Sequence, residues 1–203
     1  MHFSKRIPVI LELGFKEDAI PKLKEYLDLL WSANEELNLF SRQMTQEELI
    51  DNHLIDCLLP IKKFPSGVKE AADFGAGGGL PGVIYAIQFP QIAFHLFEKS
   101  PKKQDFLNRC KNIAPNLTVH GEIPQALGKI ELVTARAFKP IDVILDVSRT
   151  YYKNGGKYFL LKGKADKIAE EIKLAKKKFK DLEVQVEPLK SPILEVERHL
   201  ILI

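Results

Sequence analysis

The stretch Asp73-Phe74-Gly75-Ala76-Gly77-Gly78-Gly79-Leu80-Pro81-Gly82 constrains this chain more than any other. Residues 68–74 read as a buried strand, and Pro81 suits the first turn of a helix. Between them, five glycines fall within the eight residues 75–82. Glycine there permits positive φ and leaves no Cβ to hold a ligand off the backbone. A strand-to-helix turn of this kind belongs at the carboxyl edge of an open α/β sheet, where such sheets bind ligands.

Two ligand classes fit the turn. From Gly77 the letters match G-x-G-x-x-G, which would set a pyrophosphate against bare amides at a helix N-terminus. From Asp73 they read acid-x-G-x-G-x-G, the first motif of S-adenosylmethionine-dependent methyltransferases, whose ligand carries a methionine ammonium in place of phosphate. A carboxylate just before the loop repels a pyrophosphate and attracts the amino and sulfonium end of the methyl donor, directly or through water. Asp73 therefore favours the second class. Residues 92–97 form the next apolar strand and end on Glu98, placed to accept the ribose hydroxyls of either cofactor.

From Lys69 onward, short apolar runs alternate with amphipathic ones, the pattern of βαβ units around a parallel sheet. Strands are predicted near 68–74, 92–98, 117–120, 130–135, 156–161, 182–188 and 195–202. The last two are joined only by a Pro-containing link over 188–192, too short for a crossover helix, so they should pair antiparallel. The expected fold is a doubly wound, Rossmann-like α/β sheet of seven strands with the last one antiparallel, the class I methyltransferase variant. Upstream, Leu23, Leu27, Leu30, Asn34 and Leu37 recur at helical spacing. Thr45-Gln46-Glu47-Glu48 reads as a capping box before a broad apolar stripe that Pro60 ends. The predicted organisation is a helical cap over residues 1–62 and a ligand-binding domain over 63–203.

The glycine-rich stretch, the later Ala135-Arg136-Ala137-Phe138, Leu161-Lys162-Gly163 and Glu197-Arg198-His199-Leu200 resemble successive motifs of the RsmG (GidB) family, in order, from about Asn38 to the C-terminus. The resemblance implies a bacterial methyltransferase that uses S-adenosyl-L-methionine on guanine N7 of 16S ribosomal RNA, either free or in a small-subunit particle. It implies donor contacts from Asp73, Gly75, Gly77, Gly79, Leu80, Glu98 and Arg136. Ile123 and Pro124 follow the third strand, where this fold holds adenine, and an apolar pocket with a few polar contacts suits that base. Family members carry a basic residue and then an acidic one in this segment, and neither stands at the matching place here. In the cap, where the family has an Arg/Lys-His-x-x-Asp-Ser run, this chain has Asn52-His53-Leu54-Ile55-Asp56-Cys57.

Asn38, His53 and Asp56 are the candidates nearest to chemistry. His53 and Asp56 are three apart on one predicted helix face, so the carboxylate is expected to orient the imidazole or to serve a cap-to-domain contact. Arg136 ends the fourth strand among apolar residues, where a guanidinium needs partners to leave water. The methionine carboxylate, an RNA phosphate and a structural ion pair are all suitable. Lys102 sits at the start of a helix, where cations oppose the helix dipole and need another reason to be there. Lys162 and Lys164 again fall on the carboxyl edge. With Arg42, these lysines are the candidate RNA-phosphate contacts, which would make binding salt-dependent.

The remaining composition narrows the chemistry. Two cysteines, Cys57 and Cys110, are too few for a disulfide framework and show no zinc spacing, so no metal is expected. Neither follows a proline as the nucleophile of a carbon-directed cytosine enzyme commonly does. Ala135-Arg136-Ala137-Phe138 is not the Asn/Asp-Pro-Pro-aromatic run of adenine amino-group enzymes. Guanine N7 needs neither device, because its in-plane lone pair carries no proton. No stretch approaches the roughly twenty apolar residues of a membrane span, and a cytoplasmic, monomeric protein is expected. The net charge of +3 leaves the partner open. The alternatives are a methyltransferase of this fold acting on another RNA, a protein or a small molecule, and a non-catalytic nucleotide- or RNA-binding module.

Overall fold

Strict alternation along the strands decides which side of the sheet each residue serves. In a computed structural model describing residues 2–203, Ala71, Phe94, Leu96, Leu132, Phe159 and Leu200 join one buried cluster. Their neighbours Ala72, Phe97, Val133, Tyr158, Leu160 and Ile201 join a second cluster on the opposite face. A sheet apolar on both faces must be covered on both, and helices do so.

In chain order the elements are α1 (His2–Glu12), α2 (Ile20–Leu37), α3 (Gln46–Leu49), α4 (Ile55–Leu58), β1 (Glu70–Phe74) and α5 (Gly82–Gln88). Then come β2 (Ala93–Phe97), α6 (Pro101–Cys110), β3 (Leu117–His120), β4 (Leu132–Arg136), α7 (Ile141–Val147) and α8 (Arg149–Lys153). The chain closes with β5 (Lys157–Lys162), α9 (Ala165–Lys178), β6 (Gln185–Leu189) and β7 (Arg198–Leu202). The sheet order is β3-β2-β1-β4-β5-β7-β6. β7 runs antiparallel to both neighbours, with Leu161 opposite Leu200 and Lys162 opposite His199. The chain reverses its winding between β3 and β4, which places the carboxyl ends of β1 and β4 side by side. This is the class I methyltransferase arrangement expected from the strand pattern.

The cap helices share the first cluster with the sheet: Leu23, Tyr26, Leu27 and Leu30 of α2 are buried in it together with Ala71 and Leu96. Full burial of each leucine contributes about 1.5–3 kcal/mol relative to exposure. Buried polar contacts add specificity. Tyr26 donates to the Gly78 carbonyl at 2.6 Å, and Tyr85 donates to the Cys57 carbonyl at 2.9 Å. Gln88 accepts from Lys16 N and donates to the Gly14 carbonyl.

The capping box is formed: Thr45 Oγ1 accepts from Glu48 N, and Glu48 Oε2 accepts from Thr45 N. The stripe that follows is not one regular helix, as its periodicity predicts. A π-helical turn over Ile50–Leu54 separates α3 from α4, and such turns occur frequently at functional sites. Asn34, the polar interruption in α2, is buried with its Oδ1 accepting from Phe40 N at 2.9 Å. Among the described residues, no helix is long and apolar enough to cross a membrane.

Candidate cofactor cleft and the arginine clamp beside it

The glycine-rich turn lines a cleft of about 390 Å³ at the carboxyl edge of the sheet. Gly75, Gly77 and Gly79 have φ of 67°, 54° and 89°, values that favour glycine. Their roles differ. A Cβ on Gly77 would meet only the Gly75 carbonyl oxygen at 3.7 Å, so the loop is open to the cleft there. A Cβ on Gly75 would fall 2.1 Å from Phe138 Cδ2, and one on Gly79 would fall 2.4 Å from Val83 Cγ2. Gly79 does not line the cleft; it is a packing position.

Asp73 requires a correction of role. The carboxylate is buried and absent from the cleft wall. Its Oδ2 accepts from Gly82 N at 3.0 Å and its Oδ1 from Thr134 Oγ1 at 3.0 Å. It therefore ties the turn to the start of α5 and to β4 instead of presenting an oxygen to a ligand. Burial pushes its pKa up to about 7 against the opposing effect of those hydrogen bonds. The folded-state pKa lies above the unfolded one, so the native state holds a proton that the unfolded chain has released between about pH 4 and 7. Stability from this group is thus lost as pH rises through that window. Relative to the wild type, an Asp73→Asn variant should gain stability with rising pH, by up to about 1.4 kcal/mol per pH unit. Urea melts of the two proteins at pH 4.5, 5.5 and 6.5 measure it; parallel stability curves would contradict the assignment.

Glu98 follows β2 at the edge of the glycine-rich turn. Its Oε2 accepts from Gly77 N at 2.9 Å and its Oε1 from Ser100 N at 2.8 Å, and the residue lines the cleft. Leu80 and Ile123 also line it, with Phe97 and Phe138. Pro124 is exposed and does not. Of the cations on the following segment, Lys99 and Lys103 face the cleft, whereas Lys102 is exposed and outside it. Volume, loop amides, a carboxylate and apolar walls together fit an adenosyl ligand.

Arg136 forms the wall between this cleft and a second cavity of about 420 Å³. Its Nε donates to Asp56 Oδ2 at 2.8 Å, and its Nη2 donates to His53 Nδ1 at 2.6 Å and to the Asn52 carbonyl at 3.3 Å. Arg198 Nε donates to Asp56 Oδ1 at 2.6 Å. One cap carboxylate thus holds two arginines, from β4 and β7. The π-helical turn carries Asn52 and His53 into this clamp. Among the described residues, no protein acceptor takes Arg136 Nη1.

His53 and Asp56 do not hydrogen-bond each other, so the carboxylate does not orient the imidazole; both engage Arg136 instead, the cap-to-domain contact expected as the alternative. A guanidinium only donates, so His53 Nδ1 is an acceptor and its proton sits on Nε2. That Nε2 is buried without a partner. Burial, aided by the Arg136 charge, pushes the His53 pKa down to about 4.

The other candidates are dispersed. Asn38 is the exposed left-handed C-cap of α2, with φ of 51°, while its neighbour Leu39 lines the cleft. Arg42 lines a separate hollow with Trp31, Asn34 and Met44. Lys162 is not a free cation: its Nζ donates to the Lys139 carbonyl at 2.7 Å and pairs with Glu171 at 2.8 Å. Lys164 is the exposed residue preceding α9. Sequence reasoning gave no site role to Arg198, Phe138 or Glu171. Arg198 lay within a quoted motif, but its partner is 142 positions away, and Glu171 reads as one more acid on an amphipathic helix.

Comparison with known proteins bears on the fold and the family. Among solved structures, a putative O-methyltransferase from Klebsiella pneumoniae superposes with a TM-score of 0.58 at 14% identity, covering 87% of this chain and 88% of the other. PigF with SAH superposes with a TM-score of 0.54 at 17% identity, covering 77% of this chain and 56% of that one. These likenesses concern the fold. In sequence, Ribosomal RNA small subunit methyltransferase G 1 of Bdellovibrio bacteriovorus is 74% identical over 202 residues, covering 100% of this chain and 98% of the relative. Ribosomal RNA small subunit methyltransferase G of Herminiimonas arsenicoxydans is 33% identical, with 95% and 90% covered. Residues 19–201 match the pattern of the GidB family, rRNA small subunit methyltransferase G. On this match and these identities, the chain belongs to the GidB family of rRNA small subunit methyltransferases.

Proposed function

We propose that this chain transfers a methyl group from S-adenosylmethionine to N7 of a guanine in the decoding-region loop of 16S rRNA. It does so as a cytoplasmic monomer, on free RNA or on a small-subunit particle. The observation that carries this reading is the 74% identity along the full chain to a relative named as a ribosomal RNA small subunit methyltransferase. The cleft formed by the shared motifs supports it. Residues 1–62 serve as a helical cap packed on one face of the 63–203 domain, with His53 and Asp56 reaching Arg136 at its carboxyl edge.

When bound, the donor supplies an electrophilic methyl on a sulfonium. The chain's own residues bind and align. The open backbone at Gly77 admits the ligand, Glu98 accepts from ribose hydroxyls, and Leu80, Phe97 and Ile123 exclude water around the base. Arg136 Nη1 is placed for the methionine carboxylate or an RNA phosphate. Attack by N7 needs no general base, because the lone pair carries no proton. Alignment is the chain's main task, worth up to about 7–11 kcal/mol in well-oriented systems. A base is in any case not offered by His53, whose acceptor nitrogen is taken by Arg136. A thiolate route is disfavoured, since burial pushes the Cys57 and Cys110 thiols up to about 12. Lys103 at the cleft and the exposed Lys102, Lys164 and Arg42 remain available for phosphates.

The test is deletion of the gene in its native host followed by mapping of N7-methylguanine in 16S rRNA. One methylated guanine should disappear and return on complementation; an unchanged pattern would overturn the reading. Calorimetry with S-adenosylmethionine and NAD tests the donor, because binding of NAD alone would reverse the cofactor assignment.

A further inference from the structure

We infer that the second cavity seats the acceptor nucleotide and that Glu171 reads its guanine by accepting from the N1–H and N2–H donors. The inference rests on the proposed guanine methylation and assigns the base-reading group.

The first support is continuity. The cavity of about 420 Å³ shares Arg136, Ala137 and Phe138 with the cofactor cleft, so the two spaces adjoin and an acceptor lodged there reaches the donor at their common rim. The second is conformational. Ala137 has φ of 52° although it is not glycine, and residues held in this region concentrate at functional sites. Its turn sends Arg136 and Phe138 to their places on the shared wall. The third is charge. Arg136, Lys139, Lys162 and Arg198 line the cavity against only Asp56 and Glu171, a cationic surplus that suits one nucleotide with its phosphate.

The two carboxylates are not equivalent. Asp56 holds an arginine on each oxygen. Glu171 Oε2 accepts from Ile141 N at 3.0 Å and pairs with Lys162 at 2.8 Å, which fixes the side chain. Among the described residues nothing donates to its Oε1, and the side chain remains 23% exposed. An immobilised carboxylate with one free oxygen, in a cavity that the aromatic Phe138 also lines, matches the donor edge of guanine and repels the N1 acceptor of adenine. Methylation at N7 makes the ring cationic and its N1–H a stronger donor. The contact to Glu171 therefore strengthens as the new bond forms, the condition for accelerating the reaction as well as binding the base.

The test compares wild type with Glu171→Gln in two measurements on the full chain. The first is methyl transfer to small-subunit particles from the gene-deleted host. The second is calorimetry, with S-adenosylhomocysteine present, using GMP, 7-methyl-GMP and AMP. Wild type should bind 7-methyl-GMP most tightly, then GMP, then AMP. Glu171→Gln keeps an oxygen for Ile141 N but replaces the free acceptor by an amide. It should lose about 10- to 100-fold in kcat/KM on the particle, the range of one good base contact, and should no longer prefer 7-methyl-GMP. A purely structural Glu171 would weaken all three nucleotides alike. An unchanged nucleotide ranking, or full transfer by Glu171→Gln, overturns the inference while wild-type N7-methylation upholds the proposed function. Wild-type protein that forms no N7-methylguanine defeats that function itself. Should Glu171→Gln fail to fold, a wild type that binds AMP as tightly as GMP still refutes the inference.

Discussion

Gly75→Val is expected to abolish measurable binding of S-adenosylmethionine, a loss of at least about 100-fold, or 2.7 kcal/mol. The reason is not simply a side chain protruding into the ligand. A Cβ at this position would lie 2.1 Å from Phe138 Cδ2 and 2.8 Å from Phe138 Cγ, an approach no relaxation of the valine alone relieves. Phe138 stands edge-on to Phe74 at 6.4 Å and walls both cavities, so its displacement spoils the cleft and the acceptor cavity together. A left-handed conformation adds about 1–2 kcal/mol of strain for a residue with a Cβ, and more for a branched one. Gly77→Ala shares the left-handed strain but not the clash, because its Cβ would meet only the Gly75 carbonyl oxygen at 3.7 Å: the protein should fold and still bind the donor more weakly. Adding Phe138→Ala to Gly75→Val should recover part of the stability, as coupled neighbours do in a double-mutant cycle. Calorimetry and thermal melts read these outcomes, and wild-type donor affinity in Gly75→Val would remove the loop from the cofactor site.

The second large effect is expected from Arg136→Ala. This guanidinium is buried against Asp56, His53 and the Asn52 carbonyl. Removing one partner of a buried ion pair costs about 3–5 kcal/mol. Asp56 keeps Arg198, so the lower end, about 3 kcal/mol, applies here. For a chain of this length that corresponds to a melting-temperature drop of about 6–12 °C. Activity should fall further than stability, because the same side chain lines both the cleft and the second cavity. Melts together with donor titration of the folded fraction resolve the two contributions. A variant with normal stability and a selective loss of donor affinity would show that the clamp to the cap carries little energy.

Much of the architecture was legible because its signals are local. Alternating strand residues, the five-glycine turn and the Pro-interrupted link before β7 each act through near neighbours, and each predicted a sheet feature that formed. The cleft-lining residues Gly75, Gly77, Leu80, Glu98 and Ile123 were legible for the same reason: they lie in the turns that follow strands, and those turns form the carboxyl edge. What misled was direction. Asp73 and Gly79 belong to the motif yet face the core. Lys102 and Pro124 sit beside residues that line the cleft, Lys103 and Ile123, but point away. Lys162 reaches the carboxyl edge and is neutralised there by Glu171, nine positions along on the next helix.

The amino-acid sequence alone determined the class of fold, the place of the ligand turn and the order of motifs, since periodicity and glycine placement act within a few residues. Only the tertiary structure decided that Asp56 would hold Arg136 and Arg198 from 80 and 142 positions away. It alone left one oxygen of Glu171 without a donor. Such pairings follow from which distant surfaces the packed sheet and cap bring together, and from the cost of burying a charge without a partner, which no spacing along the chain encodes.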